Sequence, residues 1–365
     1  MTAQGKYSLA IIGTVGVPAC YGGFETLAEN LVRSNKALGA PYNITVYCSS
    51  KEYQVRPTEF LGAKLKYIPL YANGKASTFY DIWSILNALF SKIEIILLLG
   101  VSGAIALPLL RILRRKKVVT NIDGIEWRRE KWQGFAKKFL KFSEAIAVKY
   151  SDEIISDNVA IQKYINDEYG LDSHVIAYGG EHSFVSEEVV PESILLPEAY
   201  AFALCRIEPE NNVHVVLEAF AKTPSQHLVF VGNWSASAYG LNLKHQYGER
   251  SNILLVDPIY ELGILATLRN KAKFYIHGHS AGGTNPSLVE AMHFGLPIIA
   301  YDCEFNRLTT ENEALFFDSA EKLLALIENT AQEKVVDIGR KMKKIAECRY
   351  TWNVVAQQYF NLLKS

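Results

Sequence analysis

The chain has 365 residues, of which 49% are hydrophobic and 21% are charged. This composition excludes a disordered or collagen-like protein, and the length suggests two domains of the usual ~100–200 residues each. Lys plus Arg and Asp plus Glu number 38 each, so the chain as a whole has no basic footprint for nucleic acid. The five scattered cysteines lack CxxC spacing, which indicates reduced thiols in a cytoplasmic protein rather than a disulfide framework or a zinc site.

Apolar runs alternate with helical periods along the chain, which predicts an α/β protein with parallel sheets covered by helices. Strands are predicted in the first half at 7–12, 43–48, 65–69, 95–99, 118–122, 153–156 and 174–177. Strands are predicted in the second half at 200–205, 227–232, 252–256, 273–277, 297–301 and 314–317. The stretch 179–199, rich in Gly, Ser, Glu and Pro, is the predicted linker. We therefore expect two doubly wound domains, 1–178 and 200–348, that face a central cleft and bind ligands at the carboxyl ends of strands.

Residues 93–113 are apolar enough to resemble a membrane-spanning helix. Glu94, two interior glycines and Pro108 favour instead a buried strand at 95–99, a turn and a helix. A basic cluster ends this helix and consists of Arg111, Arg114, Arg115, Lys116 and Lys117. The cluster is either a solvated helix end that complements the helix dipole or a patch that rests on anionic lipid.

The glycine-rich segment GTVGVPACYGGFET follows strand 7–12, and helical spacing begins near Phe24. Gly22 and Gly23 lie immediately before this helix, where backbone N–H groups can meet a phosphate. The spacing matches neither the dinucleotide fingerprint nor a Walker motif, so an ordinary strand-to-helix turn is the alternative. Glu25, in the first turn, can simply complement the helix dipole.

The segment HGHSAGGTNPSLVEAMHFGLPIIAYD is the most informative one and begins at the end of strand 273–277. It predicts a glycine loop and a helix of about three turns, with Asn285 as N-cap, Pro286 first and Gly295 after the end. The N–H groups of the residues that precede this helix can bind a diphosphate.

Three side chains of this segment have two interpretations each. Glu290, one turn into the helix, either accepts hydrogen bonds from a ribose diol or is a solvated surface residue. His277 and His279 share one strand face and are interpreted as core or loop histidines rather than metal ligands.

Arg206 follows strand 200–205 and so lies at the carboxyl end of that strand. Its guanidinium can bind phosphate oxygens bidentately and neutralise a departing diphosphate. The alternative is a salt bridge to Glu208 or Glu210.

The segment NIDGIEW follows strand 118–122 and contains Asp123. Asp123 either positions the acceptor and takes its proton or closes an Asx turn, and it can also pair with Glu126 as acid and base. The residues that follow form either a sugar platform or a packed amphipathic helix; they are Trp127, Arg128, Arg129 and Trp132.

HGHSAGGTNPSLVEAM, RIEPENN, GVPACYGGFET and NIDGIEW together resemble bacterial GT-B glycosyltransferases of group 1 (family 4). The closest resemblance is to the rhamnosyltransferases that assemble surface polysaccharides, and the likeness covers nearly the whole chain. The closing TWNVVAQQYFNLLK resembles the terminal helix that folds back onto the first domain in such enzymes, which implies this role for 349–365.

The resemblance implies roles for particular residues. Glu290 matches the second glutamate of the E-x7-E signature, which binds the ribose, and Arg206 matches the arginine of the diphosphate-binding R…K pair. Asp123 matches a polar position near the reacting sugar and acceptor, and the stretch from Asp257 to Tyr260 matches the loop that lines the nucleobase. The implied donor-binding set is Gly22, Gly23, Arg206, Asn211, Asp257, Tyr260, Gly282, Gly283, Thr284, Asn285 and Glu290.

The sequence departs from the family pattern at two positions. The first glutamate of E-x7-E falls at Gly282, and the lysine partner of Arg206 falls at Asn211. Both replacements look normal for the rhamnosyltransferase branch. Without a lysine at 211, the leaving-group charge must rest on Arg206 and the helix N-terminus at 284–286.

We therefore expect a sugar transfer that retains the anomeric configuration and needs no metal or other cofactor, since the sequence has no DxD-type acidic pair in the right place. The resemblance implies a nucleotide diphosphosugar as donor, with dTDP-rhamnose favoured, and a lipid-linked saccharide as acceptor. A peripheral enzyme on the cytoplasmic face of an anionic membrane would meet such an acceptor. The alternatives are a sugar-nucleotide epimerase, a phosphorylase, or a sugar-nucleotide sensor without turnover.

Overall fold

The computed structural model describes residues 7–20, 22–113, 116–122, 124–129, 132–185, 189 and 194–364, with the backbone alone at position 75. These residues form two compact units. The first unit comprises the described residues up to Ala177 together with those from Trp352 onward, and the second comprises those from Tyr178 to Thr351.

Strands and helices alternate along both units. The strands are β1 (Tyr7–Ile12), β2 (Tyr42–Ser49), β3 (Glu59–Phe60), β4 (Ala63–Ile68), β5 (Ile95–Leu99), β6 (Lys117–Ile122), β7 (Glu153–Ser156), β8 (His174–Val175), β9 (Ala201–Leu204), β10 (Leu228–Val231), β11 (Ile253–Val256), β12 (Phe274–His277), β13 (Ile298–Tyr301) and β14 (Leu315–Phe317). The helices are α1 (Gly23–Ala37), α2 (Ser77–Leu89), α3 (Leu107–Leu113), α4 (Gly134–Tyr150), α5 (Val159–Tyr169), α6 (Val213–Ala221), α7 (Ala238–Tyr247), α8 (Leu262–Asn270), α9 (Pro286–His293), α10 (Glu304–Thr309), α11 (Ala320–Asn329), α12 (Gln332–Arg349) and α13 (Trp352–Lys364).

The first unit contains a sheet with the strand order β3-β4-β2-β1-β5-β6-β7-β8, in which β3 alone runs antiparallel to its neighbour. The central strand β1 pairs with β2 and β5, so that Leu9 lies opposite both Ile44 and Ile95. All five residues of β5, IILLL, are buried, as expected for a parallel strand with helices on both faces of the sheet.

The second unit contains an all-parallel sheet with the order β11-β10-β9-β12-β13-β14. Phe202 on β9 lies opposite Val229 on β10 and Tyr275 on β12, and all three side chains are buried. The two doubly wound sheets confirm the predicted α/β class.

Residues 93–113 form the strand β5, a turn and the short helix α3, as the sequence predicts. Among the residues that the structure describes, none of the helices combines the length and the apolar character needed to cross a bilayer. The two-residue strand β3 is an addition that the sequence pattern did not predict.

The stretch 179–199, predicted as a linker, belongs to the second unit where it is described. The backbone N–H of Gly180 donates to the carbonyl oxygen of Tyr350 at 2.8 Å, and the ring of Phe184 lies 5.1 Å from that of Phe294. The stretch is therefore packed on α9 and the end of α12, and the chain passes between the units at residues 177–178 and again at residues 351–352.

The final helix α13 is part of the first unit. Its backbone accepts hydrogen bonds from Tyr42 Oη at 2.9 Å and from Lys117 Nζ at 2.7 Å. The phenol of Tyr359 on α13 also accepts a hydrogen bond from the side chain of Asn121 at the end of β6. These contacts attach the last helix to the first sheet.

Candidate active site

The strand order of the second sheet changes direction at β9, because β10 lies on one side of β9 and β12 on the other. The crevice outside the carboxyl ends of the strands at such a reversal is where open α/β sheets bind ligands. Residues 205–212 leave β9 and residues 278–285 leave β12. Most of the second unit's predicted donor-binding residues lie on these two loops or on α9, which follows the loop after β12.

The two loops are joined by hydrogen bonds. The side-chain amide of Asn212, a residue with a left-handed backbone (φ 49°), donates to the carbonyl oxygen of Gly278 at 2.9 Å. Ser280 donates to the carbonyl oxygen of Glu210 from its backbone N–H at 3.0 Å and from its hydroxyl at 2.8 Å. A Cβ atom at Gly278 would lie 2.2 Å from the carbonyl oxygen of Asn211, so only glycine permits this approach.

Asn211 is predicted to contact the donor, but its side chain is buried in its own loop. It is 3% exposed, and its side-chain amide donates to the carbonyl oxygen of Arg206 at 2.7 Å. The side chain therefore closes its own loop and holds the backbone that carries Arg206.

Arg206 lies two residues beyond β9, and its side chain is 43% exposed. Its Nη1 atom lies 3.8 Å from Glu208 Oε1, so the salt bridge considered from the sequence is present but long. Since a guanidinium has five N–H donors, this single contact leaves donors for an incoming anion.

The glycine loop before α9 is compact. Gly282 has a φ of +104°, a conformation that favours glycine. Gly283 and Thr284 are buried. The loop therefore brings its backbone, rather than large side chains, to the start of α9.

Helix α9 begins as the sequence predicts, with Asn285 as N-cap and Pro286 in the first helical position. It has eight residues, fewer than the predicted three turns, and Gly295 (φ 67°) follows its C-cap. Asn285 makes no side-chain capping hydrogen bond, and the first turn has no acidic residue. The N–H groups and the positive end of the helix dipole are therefore suited to an anion.

Glu290 lies one turn into α9 and is not a solvated surface residue, because its side chain is 16% exposed. Its Oε2 atom accepts a hydrogen bond from the guanidinium of Arg269 on α8. Its Oε1 atom lies 3.5 Å from His182 Nε2, and burial lowers the pKa of this histidine. One carboxylate oxygen is thus fixed by a cation, and the other faces a weaker partner.

Arg269 is the residue of this site that sequence reasoning missed. Its side chain is 0% exposed, and its Nε and Nη1 atoms have no hydrogen-bond partner among the described residues. Its guanidinium lies 5.5 Å from the ring centre of Phe294. The available signal was the position of Arg269 in the amphipathic pattern LGILATLRN, where it lies among the residues that α8 buries. A fully buried arginine needs a charged partner, which points to a carboxylate on a neighbouring element.

His277 is a core histidine, as the sequence favours. It is 1% exposed, its ring stacks 4.3 Å from that of His279, and neither ring nitrogen has a hydrogen-bond partner among the described residues. Burial lowers the pKa of His277 to about 3, so this imidazole is neutral. The carbonyl oxygen of His279 accepts from Asn306 Nδ2 at 2.8 Å, which attaches the loop to α10. The described residues contain no cluster of His, Cys, Asp and Glu that could hold a metal ion.

Asp257 and Tyr260 follow the edge strand β11 and are exposed. Asp257 lies 3.5 Å from Lys244 Nζ. Since β11 is two strands away from β9, and strands are spaced by ~4.8 Å, this loop lies roughly 10 Å from the crevice. That distance fits a nucleobase at one end of a bound nucleotide.

The first sheet has its own reversal at β1, which lies between β2 and β5. Gly13, at the end of β1, has a φ of +95°, and a Cβ there would lie 2.0 Å from the carbonyl oxygen of Leu99. The loop from Gly13 ends at Gly22 (φ 126°), the N-cap of α1, and Gly23 is the first residue of the helix. Gly22 and Gly23 therefore lie at the start of a helix and at a strand reversal, as predicted.

The loop from Gly13 to Gly22 is held by carboxylates of α1. Glu25 Oε1 accepts from the backbone N–H of Val15 at 2.7 Å and from Thr14 Oγ1 at 3.0 Å. Glu25 is 7% exposed, and burial raises its pKa. A Cβ at Gly22 would lie 2.0 Å from Glu25 Oε2, so the carboxylate lies directly against the start of the helix.

Asp123, the candidate catalytic residue, lies outside the described residues. Its possible acid–base partner Glu126 accepts from Trp132 Nε1 at 2.8 Å and pairs with Arg129 at 3.2 Å. Glu126 is thus engaged in the packing of its own segment.

Trp127 belongs to a packed cluster rather than to an open sugar platform. Its Nε1 atom donates to Glu144 Oε1 at 3.3 Å, and Tyr164 Oη donates to the same oxygen at 2.6 Å. The guanidinium of Arg128 lies 5.2 Å from the ring centre of Trp127, and Lys141 Nζ lies 4.7 Å from it. The described residues of this segment are therefore packed, but they form one 3-10 turn at Glu126–Arg128 and not the predicted amphipathic helix.

Three of the five residues in the basic cluster have internal partners. Arg111 pairs with Asp152 at 2.8 Å, Lys116 donates to the carbonyl oxygen of Ser91 at 3.0 Å, and Lys117 binds the backbone of α13. Arg114 and Arg115 lie outside the described residues. Lys116 is 6% exposed, so this lysine does not belong to a solvated helix end.

Asp81 is a buried carboxyl that the sequence analysis did not single out. It lies on α2, is 4% exposed and accepts a hydrogen bond from Ser102 in the turn after β5. Burial raises the pKa of Asp81 to about 7. A Cβ at Gly103 would lie 2.3 Å from Asp81 Cβ, so the helix and the turn are in close contact.

Two family models match the chain. Residues 187–346 match the model of glycosyl transferases group 1, and residues 6–181 match a domain of unknown function (DUF1972). No curated protein matches the chain significantly in sequence.

Solved structures match over almost the whole length of both chains. Sucrose-phosphate synthase from Thermosynechococcus elongatus has a TM-score of 0.79 at 13% identity and covers 98% of each chain. A glycosyltransferase from Rickettsia africae has a TM-score of 0.72 at 15% identity and covers 99% of this chain and 98% of its own. HepE from Anabaena in complex with UDP has a TM-score of 0.68 at 15% identity and covers 98% of this chain and 99% of its own. The fold is therefore that of GT-B glycosyltransferases.

Proposed function

We propose that this chain, which has the GT-B fold and whose residues 187–346 match the model of glycosyl transferases group 1, is a glycosyltransferase that transfers rhamnose from a nucleotide diphosphosugar to a saccharide with retention of the anomeric configuration. The observation that carries the proposal is the convergence of three donor-binding features at one strand reversal. These features are the exposed guanidinium of Arg206, the uncapped N-terminus of α9 and the partly accessible carboxylate of Glu290.

The diphosphate would bind at Arg206 and the N-terminus of α9. Sugar transfer develops an oxocarbenium-like sugar and negative charge on the departing phosphate, so preorganised positive groups lower the barrier. Asn211 supplies no charge and serves to hold the loop, so the charge of the leaving group rests on Arg206 and the helix dipole. We propose that these groups do the work of a cation and that the reaction needs no metal ion.

The sugar of the nucleotide would bind Glu290. Arg269 already occupies Oε2, so Oε1 is the oxygen that can accept from a sugar hydroxyl. A carboxylate oxygen has two lone pairs, so Oε1 can accept from the 3′-hydroxyl of a deoxyribose or from both hydroxyls of a ribose. We propose dTDP-rhamnose as the donor on the sequence resemblance, and this site accommodates it. The presence of UDP in the HepE structure supports a nucleotide ligand in this fold.

The acceptor would meet the first unit, whose glycine loop ends at Gly22 and Gly23. We propose a lipid-linked saccharide at the cytoplasmic face of the plasma membrane, in the synthesis of a surface polysaccharide. Asp123 stays the predicted group that positions the acceptor hydroxyl or takes its proton.

The direct test incubates the purified protein with dTDP-rhamnose, UDP-sugars or GDP-sugars and a lipid-linked oligosaccharide. Transfer of rhamnose supports the proposal, whereas release of nucleotide without transfer, a change of the sugar alone, or binding without turnover contradicts it. Glu290→Gln should raise the KM for the donor about tenfold through the loss of one charged hydrogen bond. Glu218→Gln on the exposed side of α6 is the matched control and should leave KM unchanged.

Nucleotide choice can be measured without an acceptor. A nucleotide at ~100 times its dissociation constant adds ~2.7 kcal/mol of stability, so a thermal-shift panel ranks dTDP, UDP and GDP. If Glu290 reads the 3′-hydroxyl alone, Glu290→Gln should weaken dTDP and UDP equally. A larger loss for UDP would show that the carboxylate binds the 2′-hydroxyl as well.

A further inference from the structure

The helices α2, α3 and α4 lie on one face of the first sheet. Each of them connects strands in the same direction across the order β4-β2-β1-β5-β6-β7, and right-handed crossovers then place all three on the same side. Helix α3 contacts both α2 and α4. The three helices therefore form one continuous layer whose outer surface points away from the sheet.

This outer surface carries large apolar side chains that are between 43% and 83% exposed. They are Phe79, Trp83, Phe90, Leu109, Ile112, Leu113, Phe135 and Phe142. We call this set the outer apolar face. Within α2, α3 and α4 its members recur at helical spacing, so they form stripes opposite the buried sides of the same helices. Monomeric soluble proteins rarely expose contiguous apolar surface of this kind without a partner.

The acidic residues of these three helices, Asp81 and Glu144, are 4% and 1% exposed. Their basic residues are Arg111, Lys137, Lys138, Lys141 and Lys149. Arg111 pairs with Asp152 at 2.8 Å, and Lys141 pairs with Glu168 at 2.7 Å. Helix α5 joins β7 to β8 in the same direction and so lies on the same side, where it exposes Lys163, Asp167 and Glu168. The layer therefore combines apolar side chains with a moderate excess of positive charge.

The opposite side of the sheet is different. The exposed residues of α13, which packs there with α1, are all polar: Asn353, Gln357, Gln358, Asn361 and Lys364. The first unit also exposes Tyr7, Leu38, Val55 and Tyr71, but α13 contributes no exposed apolar side chain, in contrast to α2, α3 and α4.

We propose that the outer apolar face lies in the interface of an anionic lipid bilayer, with its aromatic and aliphatic side chains at the level of the acyl chains and its lysines at the headgroups. A mixture of exposed aromatic residues and basic side chains that outnumber the carboxylates has the chemistry of such an interface. A second copy of the chain fits less well, because two such faces would bring like charges together. The inference rests on the proposed lipid-linked acceptor and names the surface through which the enzyme would reach it.

The test measures sedimentation of the full-length protein with vesicles of phosphatidylcholine, alone or mixed with phosphatidylglycerol. The wild type should sediment with the mixed vesicles, and Ile112→Ser/Phe135→Ser should bind them about tenfold more weakly. These two side chains are 80% and 83% exposed, so the fold should be unaffected. Leu195→Ser/Val336→Ser, which removes exposed apolar groups from the second unit, is the matched control and should bind like the wild type.

Two results would overturn the inference. One is equal binding of the wild type to neutral and mixed vesicles, or no binding to either. The other is a wild-type dimer in sedimentation velocity that Ile112→Ser/Phe135→Ser dissociates, which would assign the face to a second copy. Thermal shifts with dTDP distinguish failure of the proposed function from failure of this inference. A protein that binds vesicles but no nucleotide would contradict the proposed function and still support the lipid-binding face.

Discussion

The loop between β1 and α1 and the loop between β12 and α9 both join a buried strand to a helix through glycines, yet the two helices start differently. In the first, the carboxylate of Glu25 lies against the N-cap Gly22. In the second, the first turn has no acidic residue and Asn285 leaves the end uncapped. A carboxylate at a helix N-terminus already satisfies the dipole, so the second loop suits a diphosphate and the first suits an uncharged sugar.

Of the changes proposed here, loss of the Arg206 guanidinium should have the largest effect, and it should act on the rate of sugar transfer. Arg206→Ala should lower the rate of acceptor-dependent nucleotide release by about 10²–10³-fold, because the leaving diphosphate loses a donor. Arg340→Ala, at a 79% exposed position of α12, should leave the rate unchanged in the same assay. A near-normal rate for Arg206→Ala would move the anion site away from this loop.

Lowering the pH should reduce the free energy of unfolding through His277, which ends β12 just before the second loop. Burial lowers the pKa of this imidazole to about 3 from an ordinary value of about 6.5. Below pH 6.5 the unfolded chain therefore binds a proton that the folded chain does not, and His277 alone should lower the free energy of unfolding by about 2 kcal/mol between pH 6.5 and 5. In urea unfolding, the wild type should lose this amount relative to His277→Phe, which keeps the opposite contribution of Asp81. His245→Phe, at an exposed site on α7, should follow the wild type. A constant difference between the wild type and His277→Phe would contradict this assignment.

Adding an acid to the start of α9 should make the second loop behave like the first. Asn285→Asp should weaken dTDP binding about tenfold in calorimetry, because the new carboxylate repels the diphosphate, while Asp is as well suited to the N-cap position as Asn. Asn158→Asp makes the same change at the N-cap of α5 and should leave the affinity unaltered. Equal dTDP affinities for Asn285→Asp and the wild type would show that the nucleotide does not bind at the N-terminus of α9.

The smallest expected effect is at the first loop. Glu25→Gln should cost about 1 kcal/mol of stability, because one charged acceptor for Val15 becomes a neutral one. Burial raises the pKa of Glu25, so the folded state keeps its proton to higher pH than the unfolded state, and Glu25 should contribute a loss of stability as pH rises above about 4.5. Between pH 5 and 8, the free energy of unfolding of the wild type in urea should therefore fall relative to that of Glu25→Gln. Thr14→Val, which keeps the carboxyl, should show the same fall relative to Glu25→Gln. A constant difference between the wild type and Glu25→Gln would contradict this assignment.

The sequence was a good guide wherever a local pattern decides the structure. The run IILLL could form only a buried strand once glycines followed it, and β5 has the predicted bounds. The start of α9 was equally local, since Asn285 and Pro286 have fixed preferences at a helix start.

The side-chain environments depended on distant residues and were not predictable in the same way. Whether Glu290 was solvated depended on Arg269, 21 positions earlier on another helix. The direction of Asn211 depended on a turn in which Asn212 adopts a left-handed backbone. Lys116 and Lys117 looked like a surface cluster, but their long side chains reach carbonyl oxygens of the first unit.

Helix α13 imposes an order on the folding of the chain during synthesis. Tyr42, Lys117 and Asn121 find these partners only on α13, which is synthesised after the whole second unit. The second unit is contiguous from Tyr178 to Thr351 and can mature as it emerges, whereas the first sheet must wait for its last helix with the surface around Tyr42 uncovered. On a ribosome stalled once residue 351 has emerged, the second unit could therefore be folded while the first unit still lacks α13.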